Sequence, residues 1–270
     1  GDACMKTIGK RLYLGLCFLF LYAPIAILII FSFNESKNRA TFTGFTFKWY
    51  QALFHNDLIM RSLWNTLLVA VTASILATLF GTIAAVGISG MRKRMRSAMM
   101  NVTYLPVINP EIITGISTML LFVYLKEVLH LELGFFTVLI AHITFCLPYV
   151  ILNVLPKLRQ MDPSLYEAAL DLGCGPFKAF IKVVVPEILP GIASGFLMSF
   201  TFSLDDFIIT YFTSGSSFST LPVTIYSMTR MKINPQINAL STLMFLFVLV
   251  LLLLMNIRKK GHQSTARRRA

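Results

Sequence analysis

The residues with the clearest potential for chemistry are three carboxylates inside long apolar runs. Asp205 and Asp206 are adjacent in the run FTFSLDDFIIT, and Glu111 follows Asn109-Pro110 in another run. A charge near the bilayer centre costs about 2.5–3.5 kcal/mol on insertion scales, so such residues usually face a pathway or pair with another group. Successive helical residues point about 100° apart. We therefore expect one aspartate to line a pathway for a cationic solute while the other pairs locally.

The alternative for the two aspartates is a wet, structural position at the outer membrane boundary. Glu111 is a second candidate for cation contact, because Pro110 removes a backbone donor and is expected to kink its helix. Ser203 lies two residues before Asp205 and could hydrogen-bond to a passing amine. Trp49 and Tyr50 could hold an ammonium group by cation–π attraction or serve as interfacial anchors, and the sequence favours neither role.

The elements that must position these residues are membrane helices. The chain has 270 residues, of which 56% are hydrophobic, and its mean hydropathy is +0.72. Runs of about 20 apolar residues are long enough to cross a bilayer. The pattern predicts an all-α integral membrane protein with six transmembrane helices, at about residues 12–33, 63–88, 98–125, 135–155, 188–212 and 239–257.

The distribution of basic residues predicts the orientation. The 24 lysines and arginines are concentrated before the first span, after the second, after the fourth and behind the sixth. Positive residues favour the cytoplasmic side, so both termini are predicted to be cytoplasmic. The predicted organisation is an N-terminal cytoplasmic segment (1–11), a transmembrane domain (12–257) with a cytoplasmic loop (156–187), and a basic cytoplasmic tail (258–270). Because anchoring explains the net charge of +12, we expect membrane lipid as a partner and no nucleic acid.

The loop between the fourth and fifth spans predicts a helix–turn–helix. Asp162 is a suitable N-cap and Pro163 a suitable first residue for a helix at about 164–172. Gly173 and Gly175 are expected to end it in left-handed conformations. A second helix is expected from Pro176, with Phe177, Phe180, Ile181 and Val184 on one stripe. Pro186 and Pro190 are expected to break the path into the next span.

The sequence EAALDLGCGPFKAFIKVVVP in this loop resembles the EAA motif of ABC-importer permeases. Glu167-Ala168-Ala169, Gly173 and Pro186 match the motif, and two valines replace its usual Ile and Leu. The resemblance extends over nearly the whole chain, because GFTFKWYQALFHND, HITFCLPYV, FTFSLDDFIITYFTSG and LPVTIYSM are similar to segments of the spermidine/putrescine importer permeases.

This resemblance implies a type I importer fold, the MetI-like fold, in the bacterial cytoplasmic membrane. It also implies a heterodimer with a second homologous permease, two cytoplasmic ATPase subunits and an extracytoplasmic polyamine-binding protein. Residues expected to dock on the ATPase are Tyr166, Glu167, Ala168, Ala169, Asp171 and Gly173. The chain itself is expected to be non-catalytic and to bind no cofactor or metal, since ATP and Mg²⁺ are used by the ATPase.

Three other functions remain open at this stage. The solute could instead be iron, a sugar or an opine-like anion, although intramembrane carboxylates favour a cation. An ion-coupled carrier could use the same carboxylates, but an isolated docking loop and only six predicted spans argue against it. A membrane-embedded enzyme is disfavoured, because the sequence carries no phosphate-binding loop, His-Glu-x-x-His motif or nucleophile elbow.

Overall fold

The computed structural model describes residues 2–36, 41–129, 132–231 and 235–250. Within these ranges the chain is helical, as predicted, apart from short connections and an isolated bridge between Asn34 and Phe45. The helices of the first half are α1 (Asp2–Ser32), α2 (Lys48–Phe54), α3 (Asp57–Ser89), α4 (Lys93–Ile108) and α5 (Glu111–Leu129). The second half contains α6 (Phe135–Gln160), α7 (Pro163–Asp171), α8 (Pro176–Ala179), α9 (Val185–Asp205), α10 (Ile208–Thr213), α11 (Leu221–Met231) and α12 (Gln236–Val250).

Among the residues that the structure describes, four helical stretches are long and apolar enough to cross a membrane, namely Lys10–Ser32, Asp57–Ser89, Phe135–Gln160 and Pro176–Asp205. A fifth crossing results if α4 and α5 form one broken span. These stretches coincide with the first five predicted spans. The shorter α12 covers the first part of the predicted sixth span, and the rest of that span lies outside the described residues.

The predicted third span, 98–125, is not one helix. Its two halves are bent by 101° at a break between Ile108 and Glu111. Pro110 lacks a backbone donor, and Asn109 before it is extended with φ −71° and ψ 137°, as a residue preceding proline prefers. The expected kink is therefore a complete interruption of the helix.

The fifth span also differs from its prediction. Helix begins at Pro176 and continues through a π-helical turn, Phe180–Val184, into α9, so Pro186 and Pro190 do not break the path. Pro186 directly follows the junction between π and α geometry, where the regular hydrogen-bond register is already interrupted, and its missing donor therefore costs little. The predicted helix to residue 212 is wrong as well, because α9 ends at Asp205 and α10 begins at Ile208.

The described residues form two compact units, one drawn from residues 2–36, 41–60, 225–231 and 235–250 and the other from residues 61–129 and 132–224. The core of the second unit lies where α6 packs on α9. A Cβ atom on Gly195 would lie 3.1 Å from Val150 Cα, and one on Gly191 would lie 2.8 Å from the Asn153 carbonyl oxygen. The two glycines therefore allow a close crossing of α6 and α9. This crossing places the C-terminal end of α9 beside the N-terminal half of α6.

Candidate functional site

Asp206 occupies the break between α9 and α10. Its backbone is extended, with φ −65° and ψ 125°, and its carboxylate accepts hydrogen bonds from the backbone N–H groups of Ile209 (3.3 Å) and Thr210 (2.8 Å). The side chain thus caps the first turn of α10, which explains why the helix does not continue through this position. Asp206 is only 8% exposed.

A buried histidine completes the surroundings of this cap. His142 Nε2 lies 3.3 Å from Asp206 Oδ2 and 2.9 Å from Thr210 Oγ1, and Nδ1 lies 2.7 Å from Ser203 Oγ. The Thr210 hydroxyl also donates to Asp206 Oδ2 at 2.8 Å. Ser203, His142, Asp206 and Thr210 form a closed network, called the capping network below, that joins α6, α9 and α10.

Sequence reasoning did not find the capping network as a unit. His142 is separated from Ser203 by 61 residues and from Thr210 by 68, and no local motif links these positions. The sequence did offer one signal, a histidine within an apolar helix, because a buried polar side chain requires a hydrogen-bonding partner. The side chain predicted to face a passing amine, Ser203, is 2% exposed and directed to His142.

Asp205 differs from its neighbour. It is the last residue of α9 and is exposed, while Asp206 pairs locally. Glu111, the first residue of α5, is exposed as well. Each of these carboxylates therefore stands at an interruption of a membrane helix. Irregular backbone at membrane depth is tolerated where it is buried in protein or lines a water-filled cavity.

The two interrupted helices pack against each other beyond their breaks. A Cβ atom on Gly115 of α5 would lie 3.0 Å from the Phe212 ring and 3.5 Å from Ile208 of α10. Glu111 is one turn before Gly115, on the same face of α5. The structure therefore brings the end of α5 that carries Glu111 toward the break that carries Asp205. Their role in a substrate pathway stays a prediction.

The two aromatic candidates lie in the first unit. Trp49 is 6% exposed, and its indole N–H donates to the Asn34 carbonyl oxygen at 2.7 Å. The Tyr50 hydroxyl lies 2.7 Å from Ser32 Oγ, and its ring packs against Phe33. In this structure the two side chains connect α2 to the last residue of α1 and to the segment that follows it. Cation binding by them stays a prediction.

Helix α7 is built from local signals. The Asp162 carboxylate accepts from the Ser164 backbone N–H at 3.0 Å, and Pro163 is the first helical residue. The backbone hydrogen bond from Ser164 lowers the pKa of the Asp162 carboxyl below its ordinary value. The helix ends in a Schellman motif, in which Cys174 N–H donates to the Ala169 carbonyl and Gly173 N–H to that of Leu170.

Gly173 alone of the two predicted glycines is left-handed, with φ +81°. The prediction for Gly175 is wrong, because its φ of −62° and ψ of 151° make it an extended N-cap of α8. One left-handed residue is sufficient to close a Schellman motif, and the following proline then requires an extended residue before it.

The predicted docking residues lie on two sides of α7. Tyr166 is half-buried against the hydrophobic core, and Ala169 is also half-buried, whereas Glu167, Ala168 and Asp171 are exposed. Large apolar side chains flank the exposed side, and Leu172 and Phe177 are 86% and 78% exposed. Exposed apolar residues beside charged ones are typical of a protein-binding surface. Among the described residues, no group of three or more His, Cys, Asp or Glu side chains has the arrangement of a metal site.

Comparison with known proteins identifies the family. Residues 77–261 match the family described as binding-protein-dependent transport system inner membrane component. The spermidine/putrescine transport system permease protein PotC of Escherichia coli K12 is 36% identical over 249 residues, 91% of this chain and 93% of that protein. The putrescine transport system permease protein PotI of the same strain is 41% identical over 242 residues, 88% of this chain and 86% of that protein.

Solved structures are similar in fold. The crystal structure of a bacterial ABC transporter that imports the acidic polysaccharide alginate gives a TM-score of 0.69 at 19% identity, covering 93% of both chains. A second crystal structure shows a bacterial alginate ABC transporter in complex with an alginate pentasaccharide-bound periplasmic protein. It gives a TM-score of 0.67 at 18% identity and covers 94% of this chain and 93% of the matched chain. The chain therefore belongs to the family of inner-membrane components of binding-protein-dependent transport systems and is a permease with the MetI-like fold of ABC importers.

Proposed function

We propose that this chain is a permease subunit of an ATP-driven importer that moves polyamines into the cytoplasm. The observation that carries the proposal is the similarity, over about nine-tenths of the chain, to permeases named for spermidine and putrescine transport, at 36% and 41% identity. The two exposed carboxylates at helix breaks support a cationic solute. Polyamines carry several positive charges at neutral pH, and a carboxylate in a poorly hydrated pathway attracts them strongly.

In this proposal Asp205 and Glu111 contact the ammonium groups directly. Both are exposed, and both stand where an interrupted helix leaves backbone carbonyl groups without helical partners, so that carbonyl oxygens could accept hydrogen bonds from the same amines. Asp206 and Ser203 would support the pathway indirectly, by holding the break in place. Trp49 and Tyr50 would act chiefly through the segment that they fasten.

The proposed transport cycle is alternating access driven from outside this chain. A second homologous permease completes the pathway, and two cytoplasmic ATPase subunits bind ATP and Mg²⁺. The exposed side of α7, with Glu167 and Asp171, docks on an ATPase, and both termini are cytoplasmic. Closure of the ATPase pair would draw the coupling loops together and open the pathway to an extracytoplasmic polyamine-binding protein. The exposed Leu172 and Phe177 support a protein partner at this surface.

The substrate is tested by uptake of labelled spermidine and putrescine in cells that lack this gene and other polyamine importers. Restoration of uptake by the gene, dependent on the partner ATPase, is the expected result. Restored uptake of another solute without polyamine uptake would retain a transporter and reject polyamines. Uptake that survives loss of the ATPase would indicate an ion-coupled carrier instead.

The pathway is tested by Asp205→Asn and Glu111→Gln. Loss of a hydrogen bond to a charged group is expected to lower uptake by about tenfold or more, while the yield of assembled complex stays unchanged. Glu127→Gln is the matched control, because Glu127 is exposed on α5 as Glu111 is. Uptake at the wild-type level in both test variants would reject the pathway assignment.

The docking surface is tested by Glu167→Lys. The variant should reduce the amount of ATPase that purifies with the permease, because the change reverses a charge on the exposed side of α7. The membrane helices should still insert, so the permease itself should be recovered in normal amounts. Glu127→Lys applies the same charge reversal elsewhere and should leave ATPase recovery unchanged. Equal recovery in the two variants would contradict docking at α7.

A further inference from the structure

A crevice of about 260 Å³ opens between α4 and α6, within the second unit. It shares no residue with the capping network or with the exposed carboxylates. Its lining residues are Met100 and Tyr104 from α4, and Leu152, Leu155, Pro156, Arg159 and Gln160 from α6.

The side of α4 that borders the crevice changes from basic to apolar along the helix. Met100 and Tyr104 are one turn apart, and Arg96 is one turn before Met100 on the same stripe. Arg96 is half-buried, whereas Arg94, two residues earlier, is exposed. The stripe therefore places a cation at the N-terminal end of α4 and apolar surface beyond it.

The side of α6 that borders the crevice changes from apolar to basic toward the C-terminal end of the helix. Leu152, Leu155 and Pro156 form an apolar stretch, and Arg159 follows in the last turn. Leu155 is 2% exposed, Leu152 is half-buried and Pro156 is exposed. Arg159 and Met100 border the same crevice, and Arg96 lies one turn before Met100 on α4.

In the part of the chain that the structure describes, the Arg159 guanidinium group has no anionic partner. Within residues 2–36, 41–129, 132–231 and 235–250, no carboxylate oxygen lies within the 4.0 Å of a salt bridge to it. The lining includes no acidic side chain. A crevice with a cationic mouth and apolar walls, between two membrane helices, matches a molecule with an anionic head and a hydrocarbon tail.

We propose that this crevice is a binding site for an anionic phospholipid. Arg159 and Arg96 hold the phosphate, and an acyl chain lies along Leu152, Leu155 and Met100. Basic pockets between membrane helices are known to hold anionic head groups, and an arginine can offer two parallel N–H groups to a phosphate. The apolar walls favour a whole lipid over a free phosphate, because a free anion would leave them unfilled.

The test uses the complete importer complex, purified and incorporated into nanodiscs with equal amounts of phosphatidylglycerol and phosphatidylcholine. Native mass spectrometry after release counts the lipids that remain bound. The variants are Arg159→Gln, Arg96→Gln and Leu152→Trp, of which the last fills the crevice without changing charge. The matched control is Arg94→Gln, because Arg94 lies about 200° around α4 from Arg96.

Each arginine variant is expected to lower retained phosphatidylglycerol by about fivefold, and Leu152→Trp is expected to displace it, whereas Arg94→Gln retains the wild-type amount. Excess glycerol 1-phosphate should not compete, since it lacks the acyl chains. An equal loss in Arg94→Gln would indicate diffuse attraction by the basic end and overturn the proposal. Wild-type retention in Leu152→Trp, or competition by glycerol 1-phosphate, would overturn it too, even if an arginine variant failed to assemble.

Discussion

Asp162 and Asp206 both cap helices, but one carboxylate is exposed and the other is buried. Asp162 begins α7, is exposed, and accepts one backbone hydrogen bond, from Ser164. Asp206 precedes α10, is 8% exposed, and accepts two backbone hydrogen bonds as well as one from the Thr210 hydroxyl. The chemistry of a carboxylate on free N–H groups is the same at both sites.

The difference shows what burial adds to a helix cap. Water can satisfy the remaining lone pairs of Asp162, so its cap requires nothing from elsewhere in the fold. Asp206 is buried, and an unsatisfied buried polar group is costly. The fold therefore supplies His142 from α6, a helix distant in sequence. The first cap is local, whereas the second makes the shape of one helix depend on another.

Of the substitutions at these two caps, Asp206→Ala should reduce the stability of the complex most. It would leave two backbone N–H groups, the Thr210 hydroxyl and the His142 ring without their shared acceptor. Each buried polar group left unsatisfied costs about 1–3 kcal/mol, and several groups lose their acceptor together, so the thermal stability and yield of the solubilised complex should both fall strongly. Asp206→Asn is the control, because its amide oxygen can still cap α10. A complex of normal stability with Asp206→Ala would show that the network does not hold the break.

His142→Phe should have the next largest effect. The variant keeps an aromatic ring of similar size but removes both nitrogens. The buried Ser203 hydroxyl then loses its ring partner, and Asp206 Oδ2 loses one of its several contacts. The expected cost is about 1–3 kcal/mol, measured as a lower unfolding temperature. Uptake should fall by more than the loss of stability accounts for. The capping network fixes the position of Asp206, and Asp205 is the adjacent residue. His142→Gln, which retains a donor and an acceptor, should recover part of both losses, and the same loss in both variants would contradict a hydrogen-bonding role.

These two sites also explain how far the sequence alone could lead. The ends of α7 were predicted because Asp162, Pro163 and Gly173 act on their immediate neighbours, and the structure confirms each of them. The end of α9 was not predicted, because the groups that stabilise Asp206 in an extended conformation include a histidine from another helix. Within an apolar run, the aspartate pair carried no local signal of a break.

The prolines also show that a local sequence pattern does not decide where a helix is interrupted. Pro110 follows an extended Asn109 at a complete break, whereas Pro186 and Pro190 lie within a continuous helical path. A proline removes one donor in each case, but the π-helical turn before Pro186 absorbs the change of register. The consequence of a proline therefore depends on the packing that holds the adjacent turn, which a local pattern does not contain.

Gly173→Ala should have a moderate effect on α7, the helix with the exposed cap. Gly173 has φ +81°, and a left-handed conformation costs a residue with a Cβ atom about 1–2 kcal/mol. The Schellman motif should loosen, so α7 should become more susceptible to limited proteolysis, and less ATPase should purify with the permease. Gly175→Ala is the matched control, because Gly175 is extended. Equal proteolysis of the two variants would show that α7 does not need a left-handed residue at position 173.

Asp162→Ala should have the smallest effect, since water can replace much of what an exposed cap provides. The α7 segment should exchange its amide hydrogens faster than in the wild type, while Asp162→Asn, an equally good cap, should match the wild type. The pKa of Asp162 is lowered in the folded protein by the Ser164 hydrogen bond, so the carboxylate stabilises α7 above the unfolded pKa of about 3.9. That stabilisation is lost as the pH falls through the lower, folded value. The ratio of exchange rates between Asp162→Ala and wild type should therefore be constant near neutral pH and shrink only in acid. A ratio of one at neutral pH, or one that grows in acid, would show that this cap contributes nothing.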